Sequence, residues 1–281
     1  MIWKTRHTTL DLTARSRVMG ILNATPDSFS DGGAHRSTEA ALAHARLMIA
    51  EGAELIDVGG ESTRPGAQAV PVDEEILRTA PVISALRAEW DGLISIDTRK
   101  AAVAEAALQA GADIVNDVSG LRADPRMPEV CAQSECGVVV MHMQGTPETM
   151  QCAPKYNNVV DEVKAFFHER HKTLTQAGIH PHALCFDPGI GFGKSLEHNL
   201  ALLRDLATLA VNDRPCLLGV SKKSMIGRIL GSNLLEDREW PTVAITANAR
   251  EQGVMLHRVH EVKRNVEALR MIEAILYGSR E

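Results

Sequence analysis

The sequence predicts an α/β fold, a (β/α)8 TIM barrel forming one domain. Three observations predict it: eight short apolar runs that each end in a polar residue or glycine, helical periodicity between them, and a recurring glycine where helix gives way to strand. The runs are Val18–Asn23, Leu55–Gly59, Leu93–Asp97, Ile114–Asp117, Val138–His142, Leu184–Asp187, Leu217–Ser221 and Val254–His260. Eight βα units in 281 residues is barrel arithmetic. A doubly wound open sheet is the other architecture that this alternation allows.

The elements follow in chain order. Seventeen residues precede the first run, and the alternating Thr8-Thr9-Leu10-Asp11-Leu12 predicts a small β-hairpin at the barrel floor. Apolar residues recur at helical spacing over Ser37–Glu51, Asp73–Glu89, Lys100–Ala110, Asn158–Ala177, Leu196–Val211 and Glu261–Leu276. Five helix exits repeat one pattern: Glu51-Gly52-Ala53, Ala110-Gly111-Ala112, Cys136-Gly137-Val138, Ala177-Gly178-Ile179 and Gln252-Gly253-Val254. Glycine just past a helix takes the left-handed conformation without a Cβ penalty. No linker or low-complexity stretch divides residues 1–281, so one domain is expected.

Composition narrows the function. Apolar residues make up 44% and charged residues 23%, as in soluble globular proteins. Aromatics are only 4%, so the core must be aliphatic, the character of a parallel sheet buried on both faces. A formal net charge of -6 argues against nucleic acid or an anionic membrane as partner. An anionic ligand would therefore need a local basic site. The five cysteines have no zinc spacing and read as reduced thiols of a cytoplasmic protein. Met1–Arg17 lacks the apolar stretch of a signal peptide, and no run is long enough to span a membrane.

In a barrel, chemistry gathers at the C-terminal strand ends. The residues there are Asn23, Asp57, Asp97, Asn116, Asp117, His142, Asp187, Ser221, Arg258 and His260. Helix capping accounts for one or two such groups, whereas ten predict a site. The Pro-, Ser- and Gly-containing segment after Asn23 suits a lid or a plain turn. Thr63 beside Arg64 suits a phosphate or a solvated loop. Asp97, Asn116 and Asp187 suit a heterocycle edge rich in N–H donors, or hydrogen bonding within the barrel mouth. The segment DPGIGFGKS invites a phosphate-loop reading and fails it, because Pro188 and Lys194 stand where glycines are required. Its glycines instead let a loop approach a flat ligand. Ser221, Lys222 and Lys223 at a strand-to-helix junction, with Arg258 and His260 on one strand face, form a candidate anion site.

From Val18 onward the chain resembles the dihydropteroate synthase family, in order and spacing. The motifs are MGILNATPDSFSDGG, GAELIDVGGESTRPGA, SIDT, NDV, MHM, DPGIGFGK, GVSKKSMIG and RVHEV. The resemblance implies condensation of 6-hydroxymethyl-7,8-dihydropterin diphosphate with p-aminobenzoate to 7,8-dihydropteroate and pyrophosphate, in folate biosynthesis. It implies a pterin site of Asp97, Asn116, Asp187, Lys223, Met141 and Gly219, the first four catalytic. It implies diphosphate binding by Asn23, Thr63, Arg64, Arg258 and His260, with Mg²⁺ at Asn23. Phe29, Pro65, Phe192, Ser221 and Lys222 would frame p-aminobenzoate, and a homodimer is expected. Two positions depart from the pattern: Lys222 stands where Arg is usual, and Glu261 where Asp is usual. Two rival readings remain. One is a pterin barrel of the methyltetrahydrofolate methyltransferase type, and the other a non-catalytic pterin-binding paralogue.

Overall fold

Strand pleating decides what the barrel holds. The computed structural model describes residues 1–24, 33–63 and 67–278, the side chains of 33–37 excepted. Its eight parallel strands are β3 (Arg17–Asn23), β4 (Leu55–Gly59), β5 (Leu93–Asp97), β6 (Ile114–Asp117), β7 (Gly137–Met141), β8 (Leu184–Asp187), β9 (Leu217–Leu218) and β10 (Leu256–Val259). They pair in the order β8-β7-β6-β5-β4-β3-β10-β9. A parallel bridge from Phe186 to Cys216 joins the two ends, so the sheet is a nearly closed barrel and not an open one.

Each strand sends alternate residues to opposite faces. Met19, Leu55, Leu93, Ile114, Val139, Cys185, Leu217 and Leu256 form one buried cluster, with one inward residue from every strand. Out-of-phase residues such as Val18, Ile56, Ile94, Val115, Val138, Leu184, Leu218 and Val259 belong to a second cluster, under the helices. The aliphatic character expected from composition lies in these two layers.

The helices are α1 (Gly33–Ala50), α2 (Val72–Glu89), α3 (Ala101–Gln109), α4 (Met127–Ser134), α5 (Val159–Gln176), α6 (Leu196–Arg204), α7 (Ser224–Leu230), α8 (Glu239–Glu251) and α9 (Val262–Tyr277). Sequence periodicity did not identify α4, α7 or α8. The first two are too short to display a period. In α8, Pro241 sits in the first turn, where its missing N–H is no loss, but it interrupts the pattern. The helix expected over Leu196–Val211 stops at Arg204 and continues as a 3-10 turn, Leu206–Leu209. The seventh run shortens to a two-residue strand, and the chain turns at Lys222, whose φ is 57°.

Gly52, Gly111, Gly178 and Gly253 have the expected positive φ at helix exits. Gly137 does not. Glu135 takes the left-handed position instead (φ 50°), and Gly137 starts β7. A Cβ there would lie 3.1 Å from Ile114 Cγ1 and 3.4 Å from Trp3 Cζ2. Close packing, not chain reversal, calls for that glycine.

Trp3 belongs to the expected hairpin. β1 (Ile2–Lys4) pairs antiparallel with β2 (Thr9–Asp11), setting Trp3 opposite Leu10. Trp3 is fully buried against the lowest barrel layer, and its Nε1 donates to the Ala183 carbonyl at 2.8 Å. The hairpin seals the floor and leaves the C-terminal strand ends as the open face.

Candidate active site

Above the apolar layer, the inward positions turn polar. Arg258 on β10 donates through Nε to Asp57 Oδ2 at 2.6 Å and through Nη2 to Asp97 Oδ2 at 2.7 Å. Asn116 Nδ2 donates to the same Asp57 oxygen at 3.1 Å. Asp57 is completely buried and orients both partners. The sequence reading placed Asp57 on the rim without a role, and this orienting contact is the role it missed.

Burial pushes the Asp97 carboxyl up to about 7, against the pull of Arg258 and with a further push from Asp57. Burial also raises Asp187, opposed by the Gly189 N–H at 2.7 Å and by Lys223 and Arg258. Among the described residues, the buried Oδ1 atoms of Asp57 and Asp97 have no hydrogen-bond partner. Buried acceptors are rarely left in this state, so a donor-bearing ligand fits here.

A cleft opens above this network. The whole expected pterin set lines it: Asp97, Asn116, Asp187, Lys223, Met141 and Gly219. Thr63, Arg258 and Phe192 line it too. So do Gly189, one of the glycines expected to lie against a flat ligand, and Val118, which the sequence did not single out. Val118 is in phase with Ile114 and Asn116, so one further step of strand alternation would have found it. Its neighbours Met141, Met143, Met150 and Phe192 make an apolar wall. Lys223 Nζ lies 4.0 Å above the Phe192 ring, a cation–π contact.

The glycine-rich loop after β8 is pinned from behind. Lys194 Nζ is buried among His142 Nδ1 (3.0 Å) and the carbonyls of His142 (3.2 Å), Gly189 (3.0 Å) and Phe192 (3.0 Å). It faces protein oxygens, which agrees with rejecting a phosphate loop. Burial lowers this ammonium to about 7. Gly189 has φ 65°, and a Cβ would meet the His142 carbonyl oxygen at 2.0 Å, so only glycine lets the loop lie this close.

Other expected residues stand apart from the cleft. Asp117 and His142 are one pleat out of phase with its lining. Asp117 Oδ1 accepts from Ser119 N at 2.7 Å, and burial followed by Lys194 drives His142 down to about 2. Both therefore correct the ten-residue rim. Ser221 Oγ lies 2.9 Å from His260 Nδ1 and accepts from His260 N at 3.1 Å, so the two hold each other beside the cleft. Lys222 does not line it either. Its left-handed backbone turns Nζ to Glu239 Oε1 at 3.2 Å, a carboxylate shared with Arg264. Asn23 is exposed at the end of β3. Phe29, Arg64 and Pro65 lie outside the described residues.

The sequence profile of the pterin binding enzyme family matches residues 19–260. The chain is 48% identical to the dihydropteroate synthase of Escherichia coli K12 over 269 residues, 96% of this chain and 94% of that one. It is 44% identical to the Synechocystis dihydropteroate synthase over 268 residues, 95% and 93% of the two chains. The crystal structure of the Yersinia pestis dihydropteroate synthase with a sulfonamide drug superposes with a TM-score of 0.92 at 44% identity, covering 98% and 99%. The Xanthomonas albilineans dihydropteroate synthase in complex with 7,8-dihydropteroate gives 0.89 at 42% identity, covering 99% of both chains.

Proposed function

Because the chain belongs to the dihydropteroate synthase family, we propose that it condenses 6-hydroxymethyl-7,8-dihydropterin diphosphate with p-aminobenzoate, a transferase step of folate biosynthesis. The observation that carries this reading is the buried Asp97 Oδ1, an acceptor without a partner among the described residues, in one cleft with Asn116 and Asp187. The aminopyrimidinone edge of a pterin is a row of N–H donors beside a carbonyl. Two carboxylates and an amide complement it. Lys223 would meet the ring's other polar edge, and Met141 and Gly219 its faces.

Thr63 and Arg258, with Arg64 and His260, would hold the diphosphate oxygens. Arg258 would do so with the donors that Asp57 and Asp97 leave over. Asn23 suits Mg²⁺. It is in phase with Met19 and Ile21, exposed at the open end, and presents one hard amide oxygen. Magnesium commonly takes one or two protein ligands and fills the rest with phosphate oxygens and water. When bound, it offsets charge developing on the diphosphate. Phe29, Pro65, Phe192, Ser221 and Lys222 would frame p-aminobenzoate.

The bond from the pterin methylene to the diphosphate oxygen breaks, and its electron pair leaves with pyrophosphate. The arylamine nitrogen then bonds to the methylene and loses a proton to water, giving 7,8-dihydropteroate. The cleavage runs ahead of the attack, because the pterin ring delocalises the methylene cation. Burial disfavours ionised Asp187, so its carboxylate gains most when positive charge grows beside it, which is selective for the transition state. The exposed apolar residues Ile229, Leu234, Leu235, Trp240, Met271 and Ile275 on and between α7, α8 and α9 support a homodimer. Among the described residues no helix is long and apolar enough to cross a membrane, which fits a cytoplasmic enzyme.

One incubation tests the reading: protein, pterin diphosphate, p-aminobenzoate and Mg²⁺, followed for pyrophosphate and dihydropteroate. Stoichiometric release of both is expected, and no release rules the activity out. In the same assay without p-aminobenzoate, heavy oxygen placed in the C–O–P bridge should scramble into non-bridging positions. Unscrambled substrate would favour direct displacement.

A further inference from the structure

We infer that Lys100 is a positioning residue for the diphosphate half of the cleft, acting through a staple across the base of the loop between β4 and α2. The inference rests on the functional reading above. Glu61 opens that loop, and Val70 stands near its end. Lys100 Nζ donates to Glu61 Oε2 at 2.7 Å, to the Val70 carbonyl at 2.6 Å and to the Glu75 carboxylate in α2. An ammonium has three protons, and all three are engaged. Glu61 completes the closure: Oε2 also accepts from Val70 N at 2.8 Å, and Oε1 accepts from Arg99 Nε at 3.2 Å. Both ends of the loop are thus fastened to one carboxylate and one ammonium.

The cluster is not a surface ion pair of small consequence. The Glu61 and Glu75 side chains are 8% and 1% exposed, and buried pairs hold geometry where exposed pairs do not. Burial pushes Glu61 up, but Lys100, Val70 and Arg99 outweigh it and leave the carboxyl below its ordinary range. Two carboxylates face two cations, so no net charge remains to attract an anion. The cluster's contribution is position.

What it positions is Thr63, two residues beyond Glu61, which lines the cleft. The staple is rooted beside the pterin site. Lys100 N donates to Thr98 Oγ1 at 3.2 Å, and that hydroxyl donates to Glu75 Oε1 at 2.7 Å. Thr98 directly follows Asp97. The pterin-side carboxylate sits on the strand itself, whereas Thr63 hangs from the strand through the staple. Loosening the staple should therefore misplace the diphosphate contact and spare the pterin contacts.

Lys100→Met tests this with two probes, Mg-pyrophosphate and a hydroxymethylpterin without diphosphate. The expected result is about a tenfold or greater loss of pyrophosphate affinity and of kcat/KM for the pterin diphosphate. Affinity for the plain pterin should stay within about twofold of wild type, and Lys100→Arg should recover part of the loss. Equal losses for both probes, or loss for neither, overturn the inference. If Lys100→Met no longer melts cooperatively, Glu61→Gln keeps the shape, removes the charge and is held to the same split. If that variant also fails to fold, the cluster is purely structural and the inference falls. A wild-type protein that binds no plain pterin counts against the functional reading, not against the staple.

Discussion

Asp97 shows how one carboxylate can serve structure and ligand at once. Its Oδ2 is taken by Arg258, while its Oδ1 is buried and has no hydrogen-bond partner among the described residues. Burial lifts the group to about 7, well above an unfolded carboxyl at about 3.9. The sign follows. The protonated form suits the empty fold, so the stability it contributes is full below about pH 4 and is lost as pH rises through about 7. A pterin N–H needs the ionised acceptor, so binding below about pH 7 must first expel a proton. Affinity for a plain pterin should then fall about tenfold per pH unit in that range, with proton release visible by calorimetry in buffers of different ionisation enthalpy. Asp187 shifts in the same direction and cannot flatten the slope. Constant affinity from about pH 5.5 to 8 would falsify this account. At this scale the sequence was informative where strand phase decides. Asp97 and Asp187 end apolar runs on the inward face, and Asn116 stands on that face one residue before its run ends. Asp117 and His142 end runs on the other face, and the same alternation could have removed them. Lys222 was not readable, because its left-handed turn and its Glu239 partner exist only in the folded chain.

Among the elements, the N-terminal hairpin and the loop after β8 do opposite work. The hairpin makes the floor, far from the cleft, and Trp3 is its anchor. Removing that ring leaves a cavity under the lowest layer, so Trp3→Ala should cost about 3–5 kcal/mol. Melting should drop by roughly 10 °C, at 2–4 °C per kcal/mol for a large domain. The KM values measured well below melting should stay at wild type, since Trp3 belongs to the floor layer and does not line the cleft. A KM change in step with the stability loss would mean that the floor and mouth are coupled. The β8 loop, in contrast, sets the cleft wall through Phe192 and Gly189, and Lys194 holds it there. The hairpin was legible because alternation around Leu10 survives in a short segment. The role of Lys194 was legible only in part. Its motif excluded a phosphate loop, but nothing in the spacing names His142 as its partner.

At the scale of the whole molecule, the cleft is uneven in a way that bears on order of binding. Every residue of the expected pterin set lines it. Of the described residues expected around p-aminobenzoate, Phe192 lines it, whereas Ser221 is held against His260 and Lys222 against Glu239. The set expected around a pterin thus gathers in one cleft, whereas the described part of the set expected around p-aminobenzoate is only partly gathered there. Completing the second set means redirecting side chains that already have partners, on a chain of net charge -6 that does not draw in anions unaided. Fixing a long side chain such as that of Lys222 in a new place costs up to about 2 kcal/mol of rotamer freedom. In the proposed reading, a diphosphate with Mg²⁺ held beside Thr63 would offset that cost, and a single benzoate carboxylate would not. Pterin diphosphate should therefore bind first. A sulfonamide or p-aminobenzoate should bind the free protein about tenfold or more weakly than the protein holding Mg-pyrophosphate, since 1.4 kcal/mol is a factor of ten. Titration calorimetry with and without Mg-pyrophosphate measures the difference. Equal affinities in the two titrations would mean that the benzoate site is preformed, and that Glu239 and His260 release their partners at no cost.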